Sequence, residues 1–203
     1  MRRIFIGLAL ALVVLQAWAQ ARDENAAQCA NRNDPDASIR GCTALIQSGQ
    51  EPTANLAADY INRAWAYALK GIYEQEFADL TKAISLDPNN ADVFHYRGAV
   101  YEHRGEHDLA IKDFDESLRL RPNDAPTLDS RGAVFMKMGK FDKALSDFNT
   151  AVQYGHFINS LYARGWAKLK MGDTTGGNAD IAAAKAANPN IAEKWDKYYG
   201  IKP

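Results

Sequence analysis

The chain has 203 residues, and its 24 lysine and arginine residues nearly balance its 25 aspartate and glutamate residues. This balance excludes the basic excess expected of a nucleic-acid-binding surface. Hydrophobic residues make up 47% of the chain, enough for one domain with a substantial core. After the amino-terminal segment, no second apolar run is long enough to predict a membrane span.

Residues 1–19 have the layout of a bacterial secretory signal peptide. Arg2 and Arg3 precede an apolar run over 4–15, and Ala17-Trp18-Ala19 places small residues at the two positions that a signal peptidase reads. The run of about 12 residues is too short for a membrane anchor, which needs about 20. We expect cleavage after Ala19, or alternatively after Ala21, and therefore a periplasmic or secreted protein.

From residue 57 the sequence repeats at an interval of 34 residues, with one interval shortened to 33. An arginine followed by a small residue recurs at Arg63-Ala64, Arg97-Gly98, Arg131-Gly132 and Arg164-Gly165. A glycine recurs at Gly71, Gly105, Gly139 and Gly172, and an aspartate at Asp79, Asp113, Asp147 and Asp180. A fixed period of this length indicates an array of stacked helical units.

Each repeat is predicted to form two antiparallel helices, A and B. The recurrent glycine ends helix A, and a proline such as Pro88 or Pro122 ends helix B. Over residues 57–190 this pattern resembles the tetratricopeptide-repeat (TPR) family, whose repeat has 34 residues. The resemblance implies an all-α fold, a right-handed α-solenoid of helix-turn-helix repeats. The boundaries that it predicts are 57–90, 91–124, 125–157 and 158–190, preceded by a capping hairpin and linker over 20–56 and followed by a capping helix over 191–203.

An arginine on helix A and an aspartate on helix B accompany each other in every repeat. The pairs are Arg63/Asp79, Arg97/Asp113, Arg131/Asp147 and Arg164/Asp180. We interpret them as structural ion pairs, because the acids recur with the arginines. The alternative is a ladder of arginines that binds acidic ligands.

Cys29 and Cys42 are the two cysteines of the chain, and in an exported protein such a pair favours a disulfide. The repeat register places them at the core positions where helix A meets helix B, in a shortened hairpin. Asp34 and Pro35 are predicted to start its second helix, as N-cap and first helical residue. Free thiols or a two-cysteine metal site are the alternatives, although the spacing does not match a C-x-x-C motif. The segment 34–49 also resembles the opening of many secreted bacterial TPR proteins.

The sequence offers little chemistry for catalysis. The four histidines do not form a metal-binding motif, and His103 and His107 are separated by Gly105 at a predicted helix end. No phosphate-binding loop, nucleophile elbow or zinc-protease motif occurs. We therefore predict that the chain is not an enzyme and has no cofactor and no metal site. At the carboxyl end, Trp195, Tyr198 and Tyr199 are expected to cover the last apolar face.

The resemblance implies that a protein or peptide binds in a concave groove lined by the A helices. The predicted groove residues are Asn62, Trp65, Tyr96, Glu102, His103, Lys137, Tyr162 and Trp166. Trp65 and Tyr96 are the predicted anchors, because aromatic side chains dominate binding hot spots; Trp65 could instead pack between A helices. The Lys and Asn positions with which some TPR proteins clamp a terminal carboxylate are matched here by Asn62 alone. A structural subunit that associates with itself is the alternative function.

Overall fold

The computed structural model describes residues 16, 19–155, 157–193 and 195. All regular elements within these residues are helices, which confirms the predicted all-α fold class. The chain forms two compact units, Met1–Pro88 and Asn89–Pro203. Most of the predicted signal peptide, together with Tyr198 and Tyr199 of the predicted cap, lies outside the described residues.

The first unit contains four helices in its described part: α1 (19–29), α2 (Pro35–Ser48), α3 (Thr53–Leu69) and α4 (Tyr73–Leu86). As predicted, Asp34 caps α2 by accepting a hydrogen bond from the Ala37 N–H, and Pro35 is its first residue. Helix α3 packs against both α2 and α4. It begins four residues before the predicted repeat boundary at Ala57.

The second unit consists of paired helices followed by a short helical segment. The pairs are α5 (Ala91–His103) with α6 (His107–Leu120), α7 (Ala125–Lys137) with α8 (Phe141–Tyr154), and α9 (Phe157–Lys170) with α10 (Thr174–Ala187). Residues 191–193 and 195 are also helical. Helix α6 packs on α7 and α8 packs on α9, so that successive pairs stack side by side. Each pair buries an apolar face that one hairpin could not cover alone.

The recurrent glycines end the A helices, as the sequence predicts. Their φ angles are 68° at Gly71, 75° at Gly105, 71° at Gly139 and 89° at Gly172. In this left-handed region a residue with a β-carbon is strained. Each of these glycines lies two residues after the last residue of helix A and two residues before the first residue of helix B.

Small and large core residues are matched between the two helices of a pair. A β-carbon added to Gly98 would lie 2.7 Å from the Phe114 ring, and one added to Gly132 would lie 2.7 Å from the Phe148 ring. In the first repeat, where Ala64 stands at this position, the partner is the smaller Leu80. The phenylalanine ring therefore requires a glycine opposite, because the core has no spare volume.

The carboxyl end of the second unit is closed by an aromatic core. Trp195 is 2% exposed and lies edge-on to Phe148 and Tyr162, with ring centroids 6.3 and 6.0 Å away. Ile191 is buried in the same cluster. Within the described residues, the segment after α10 therefore covers the last pair of helices.

Candidate binding surface and the residues that support it

In the first unit, helix α3 carries two of the predicted groove residues. Asn62 and Trp65 are both half-buried. The Asn62 side chain points its Nδ2 towards the Cys29 sulfur, at 3.9 Å. The guanidinium carbon of Arg32, from the turn between α1 and α2, lies 5.3 Å from the centroid of the Trp65 ring. Trp65 is thus a shared platform for the hairpin and the first repeat, with part of its surface still accessible.

In the second unit, the face of α5 carries the most exposed predicted anchor. Tyr96 is 39% exposed and lies edge-on to the neighbouring His95 ring at 5.6 Å. His95 in turn shares a 2.9 Å hydrogen bond with the Thr127 hydroxyl on α7. Glu102 and Lys137 form an ion pair that also joins α5 to α7, and His103 is exposed at the end of α5. Polar contacts between neighbouring A helices therefore hold this face together while Tyr96 remains open to solvent.

Tyr162 was wrongly predicted to line the groove. It is 1% exposed and packs between the rings of Trp166 and Trp195. Trp166 is half-buried, and its indole nitrogen has no hydrogen-bond partner among the described residues. The physical reason is the cap: Trp195 fills the space beside α9 and turns a surface position of a helix into a core position.

The Arg and Asp residues of every repeat form bidentate ion pairs within their own repeat. In each pair the arginine Nε and one terminal nitrogen donate to the two carboxylate oxygens, at distances between 2.6 and 2.9 Å. The pairs are Arg63/Asp79, Arg97/Asp113, Arg131/Asp147 and Arg164/Asp180. All four aspartates are buried. A buried carboxylate needs such a partner, so this geometry agrees with the structural interpretation of the pairs.

In the first two repeats, aromatic rings lie on both sides of the arginine of the ion pair. The Arg63 guanidinium lies over the rings of Tyr60 and Tyr67, at 5.5 and 5.9 Å. Arg97 lies between Phe94 and Tyr101, both at 5.9 Å. The hydrogen bonds with the paired aspartate raise the arginine pKa, so both arginines stay charged. These rings leave the guanidinium edge free for the carboxylate while they cover its faces.

The remaining terminal nitrogen of three arginines reaches the preceding B helix. Arg63 donates to the Thr43 hydroxyl at 2.9 Å, Arg131 to Asp115 at 2.5 Å, and Arg164 to the Asn149 side chain at 3.5 Å. In the last repeat, Lys168 replaces the flanking aromatic and bonds the same carboxylate, Asp180, at 2.8 Å. The N–H groups of these three arginines therefore donate to groups of the protein itself, and few of them are left to bind an acidic ligand.

The hairpin of α1 and α2 is closed by a disulfide between Cys29 and Cys42, as predicted. The Ser38 hydroxyl donates to the Cys29 carbonyl at 2.8 Å, and both sulfurs are buried. The sequence reasoning missed Asp59 on α3, whose Oδ1 lies 3.5 Å from the Cys29 sulfur. A disulfide sulfur has no proton to donate, so this contact is not a hydrogen bond.

Asp59 is a buried acid, and the charge of Arg22 offsets the cost of its burial only in part. It is 7% exposed, and its Oδ2 has no hydrogen-bond partner among the described residues. Burial, and secondarily the charge of Glu51, raise the pKa of Asp59 to about 6. The corresponding residues of the other repeats are Val93, Thr127 and Ser160, all of them uncharged. The sequence could have pointed to Asp59, because it is the one acid at a repeat position that otherwise carries an apolar or a hydroxyl side chain.

A polar cavity of about 390 Å³ lies among α6, α7 and α8, but the Arg131–Asp147 ion pair occupies its wall. No three histidine, cysteine, aspartate or glutamate side chains in the described part of the chain converge to hold a metal ion. His103 and His107 fall on separate helices, α5 and α6. Among the same residues, no helix combines the length and the apolarity that crossing a bilayer demands.

Comparison with known proteins points to one repeat family. One tetratricopeptide-repeat profile matches residues 91–124 and a second matches residues 60–90. A search of curated protein sequences finds no match.

Several solved structures share the fold. MamA from Desulfovibrio magneticus RS-1 superposes with a TM-score of 0.72 at 16% identity, covering 85% of this chain and 95% of that one. YrrB, described as a TPR protein with an unusual peptide-binding site, gives a TM-score of 0.60 at 18% identity, covering 82% and 94%. PilF of Pseudomonas aeruginosa gives 0.63 at 20% identity, covering 73% and 69%.

The profile matches, the 34-residue register and the paired antiparallel helices agree with one another. Repeats of this kind typically serve as non-catalytic scaffolds that present extended surfaces for binding proteins or peptides. The chain therefore carries tetratricopeptide repeats, which the family profiles match over residues 60–90 and 91–124.

Proposed function

We propose that this protein is an exported, non-catalytic scaffold that binds a protein or peptide through the faces of its A helices. The observation that carries the proposal is the accessible aromatic surface on those helices, at Tyr96 on α5 and Trp65 on α3. Aromatic side chains that remain partly exposed on a rigid scaffold are typical anchors of binding surfaces. The similarity to YrrB, a TPR protein with an unusual peptide-binding site, supports a peptide as one form of the ligand.

Photo-crosslinking in the native host tests the binding face. A benzoylphenylalanine in place of Tyr96 should give an adduct with one partner protein. The matched control replaces Tyr154, an exposed tyrosine on the B helix α8, and should give none. An adduct with the mass of two copies of the chain would support the self-associating subunit instead. No adduct at position 96, or equal adducts at both positions, would contradict binding through the A face.

Export is proposed from the amino-terminal sequence. The apolar run over 4–15, followed by Ala17 and Ala19, has the pattern of a cleaved signal, and a disulfide is expected in an oxidising compartment. Mass spectrometry of the protein from a periplasmic fraction should find an amino terminus at Gln20 or Arg22. An intact chain beginning at Met1 and confined to the cytoplasm would contradict export.

A further inference from the structure

The turn between α1 and α2 presents an arginine whose charge is not neutralised by any acid in the described part of the chain. Arg32 is exposed, and its guanidinium lies over the Trp65 ring. Among the described residues it makes no ion pair and no hydrogen bond to a carboxylate. Contact with the ring covers one face of the guanidinium but leaves its N–H groups available along the edge.

The backbone on both sides of Arg32 is fixed. On one side, the disulfide and the Ser38 hydroxyl hold Cys29. On the other side, the Asp34 side chain caps α2, and the Asn33 N–H donates to the Asn31 side chain within the turn at 3.0 Å. A guanidinium held in this way loses little conformational entropy when it binds a ligand.

The acidic side chains near Arg32 interact with other groups of the described structure. Asp36 pairs with Lys70, and Glu51 pairs with Arg22 at 2.7 Å. Asp34 directs its carboxylate to the amino terminus of α2, where it accepts the Ala37 N–H. The acids around the turn thus have partners of their own, and the exposed cation on the Trp65 platform has none in the described structure.

An exposed apolar residue, Leu69, lies on the same face of α3 as Trp65. Asn62, Trp65 and Leu69 are spaced by three and four residues, which places them on one face of the helix. Leu69 is 57% exposed, although it is a large aliphatic residue. The face therefore combines an aromatic ring and an aliphatic side chain beside an unmatched cation.

We propose that Arg32, Trp65 and Leu69 form a binding site for a peptide segment in which an acidic residue is closely followed by apolar residues. This site rests on the proposed scaffold function and specifies its ligand. The guanidinium edge pairs with the carboxylate, and the apolar side chains of the peptide pack on Trp65 and Leu69. Arg32 was not among the groove residues predicted from the sequence, because it lies in a turn outside the repeat pattern, whereas Leu69 occupies an A-helix position of the first repeat.

Fluorescence anisotropy with two labelled peptides tests the site on the full, oxidised protein. The probes are acetyl-Gly-Glu-Glu-Leu-Leu-Gly-amide and the same peptide with both glutamates replaced by lysine. The wild type should bind the acidic peptide about tenfold more tightly, as one charge-assisted contact allows. Arg32→Glu should reverse this preference, and Leu69→Ser should weaken the binding of the acidic peptide without reversing it.

Arg40→Glu is the matched control, because Arg40 is an exposed arginine on α2 in the same unit and makes no contact with an aromatic ring of the described residues. It changes the net charge of the protein by the same amount and should keep the acidic preference. Equal binding of both peptides by the wild type would overturn the site, and so would an equal loss of preference in Arg40→Glu and Arg32→Glu. Circular dichroism verifies that each variant is folded.

The crosslink at position 96 is scored separately from the peptide preference. A protein that crosslinks to a partner there but shows no preference for the acidic peptide would lose the Arg32 site and keep the scaffold function. A protein that prefers the acidic peptide but gives no adduct would keep the site and lose the proposed use of the α5 face.

Discussion

The first hairpin of the chain and its last repeat have cores of different kinds. The buried apolar cluster of the hairpin contains Cys29, Cys42 and Leu45, and a covalent bond joins the first two. The last repeat packs its helices against a large cluster that includes Phe148, Tyr162 and Trp195. They are the first and the last helical hairpins of the described residues, and such end hairpins are harder to stabilise than internal repeats. A short hairpin with few bulky residues depends on a cross-link, whereas a full repeat can be closed by apolar packing.

The largest effect is expected from removing the aromatic cap. Trp195→Ala should lower the free energy of unfolding of the second unit by about 3–5 kcal/mol, because it empties a fully buried site between Phe148 and Tyr162. Urea denaturation followed by circular dichroism measures this loss. Met171→Ala, at an exposed position in the same unit, is the control and should change the stability by less than about 0.5 kcal/mol. Equal losses in the two variants would show that Trp195 is not a core residue.

Removal of the disulfide should destabilise the hairpin of α1 and α2. The double variant Cys29→Ala/Cys42→Ala loses a cross-link over a sequence separation of 13 residues, which is worth about 3 kcal/mol in the chain-entropy model. Native-state hydrogen exchange should then show faster exchange in α2, while α8 in the second unit keeps its protection. Unchanged exchange in α2 would mean that packing alone closes the hairpin.

The ion pairs offer a comparison between the first and the last repeat. Arg63 is the cation that pairs with Asp79, whereas Asp180 has both Arg164 and Lys168. Arg63→Ala should therefore cost more, roughly 2–3 kcal/mol against about 1 kcal/mol for Arg164→Ala, because it leaves a buried carboxylate unpaired. Thermal unfolding of the two variants measures the difference. If Arg63→Ala left stability unchanged but abolished partner binding, the arginines would be ligand-binding residues and the structural interpretation would be wrong.

The smallest effect concerns the buried acid beside the disulfide. The pKa of Asp59 is raised to about 6 from an ordinary value of 3.8, so the folded state holds this proton more tightly than the unfolded state. The stabilisation from this group is therefore present below about pH 4 and is lost as the pH rises through about 6. Asp59→Asn should raise stability at pH 7 and have a smaller effect at pH 4, where the aspartate is largely protonated in the folded state. A variant that is less stable than the wild type at both pH values would contradict this account of Asp59.

Much of the fold follows from the sequence because each repeat makes the same contacts. The glycine that ends helix A, the bulky residue opposite Gly98 or Gly132, and the Arg–Asp pair are all set by contacts within one hairpin. Periodicity alone therefore predicts them. The disulfide was predictable in the same way, since the register placed Cys29 and Cys42 at a core contact between two helices.

The candidate binding residues were less predictable, because their surroundings include residues outside the repeats, namely the Trp195 cap and the α1–α2 hairpin. Tyr162 has the helical position of a groove residue, but the Trp195 cap buries it. Arg32 lies in a turn outside the repeat, and its contact with Trp65 appears only when the hairpin is packed on α3. Asp59 was overlooked because its neighbour in space, Cys29, is 30 residues away in the sequence. These are tertiary effects that a repeat pattern does not encode.

A crosslinking pull-down from the native host, analysed by mass spectrometry, tests the central claim that the A-helix faces bind a partner. The wild type should retain one protein in near-stoichiometric amount, and Trp65→Ala and Tyr96→Ala should each reduce it strongly while Tyr154→Ala does not. Recovery of the same protein at the same level from all three variants would contradict binding through the A faces.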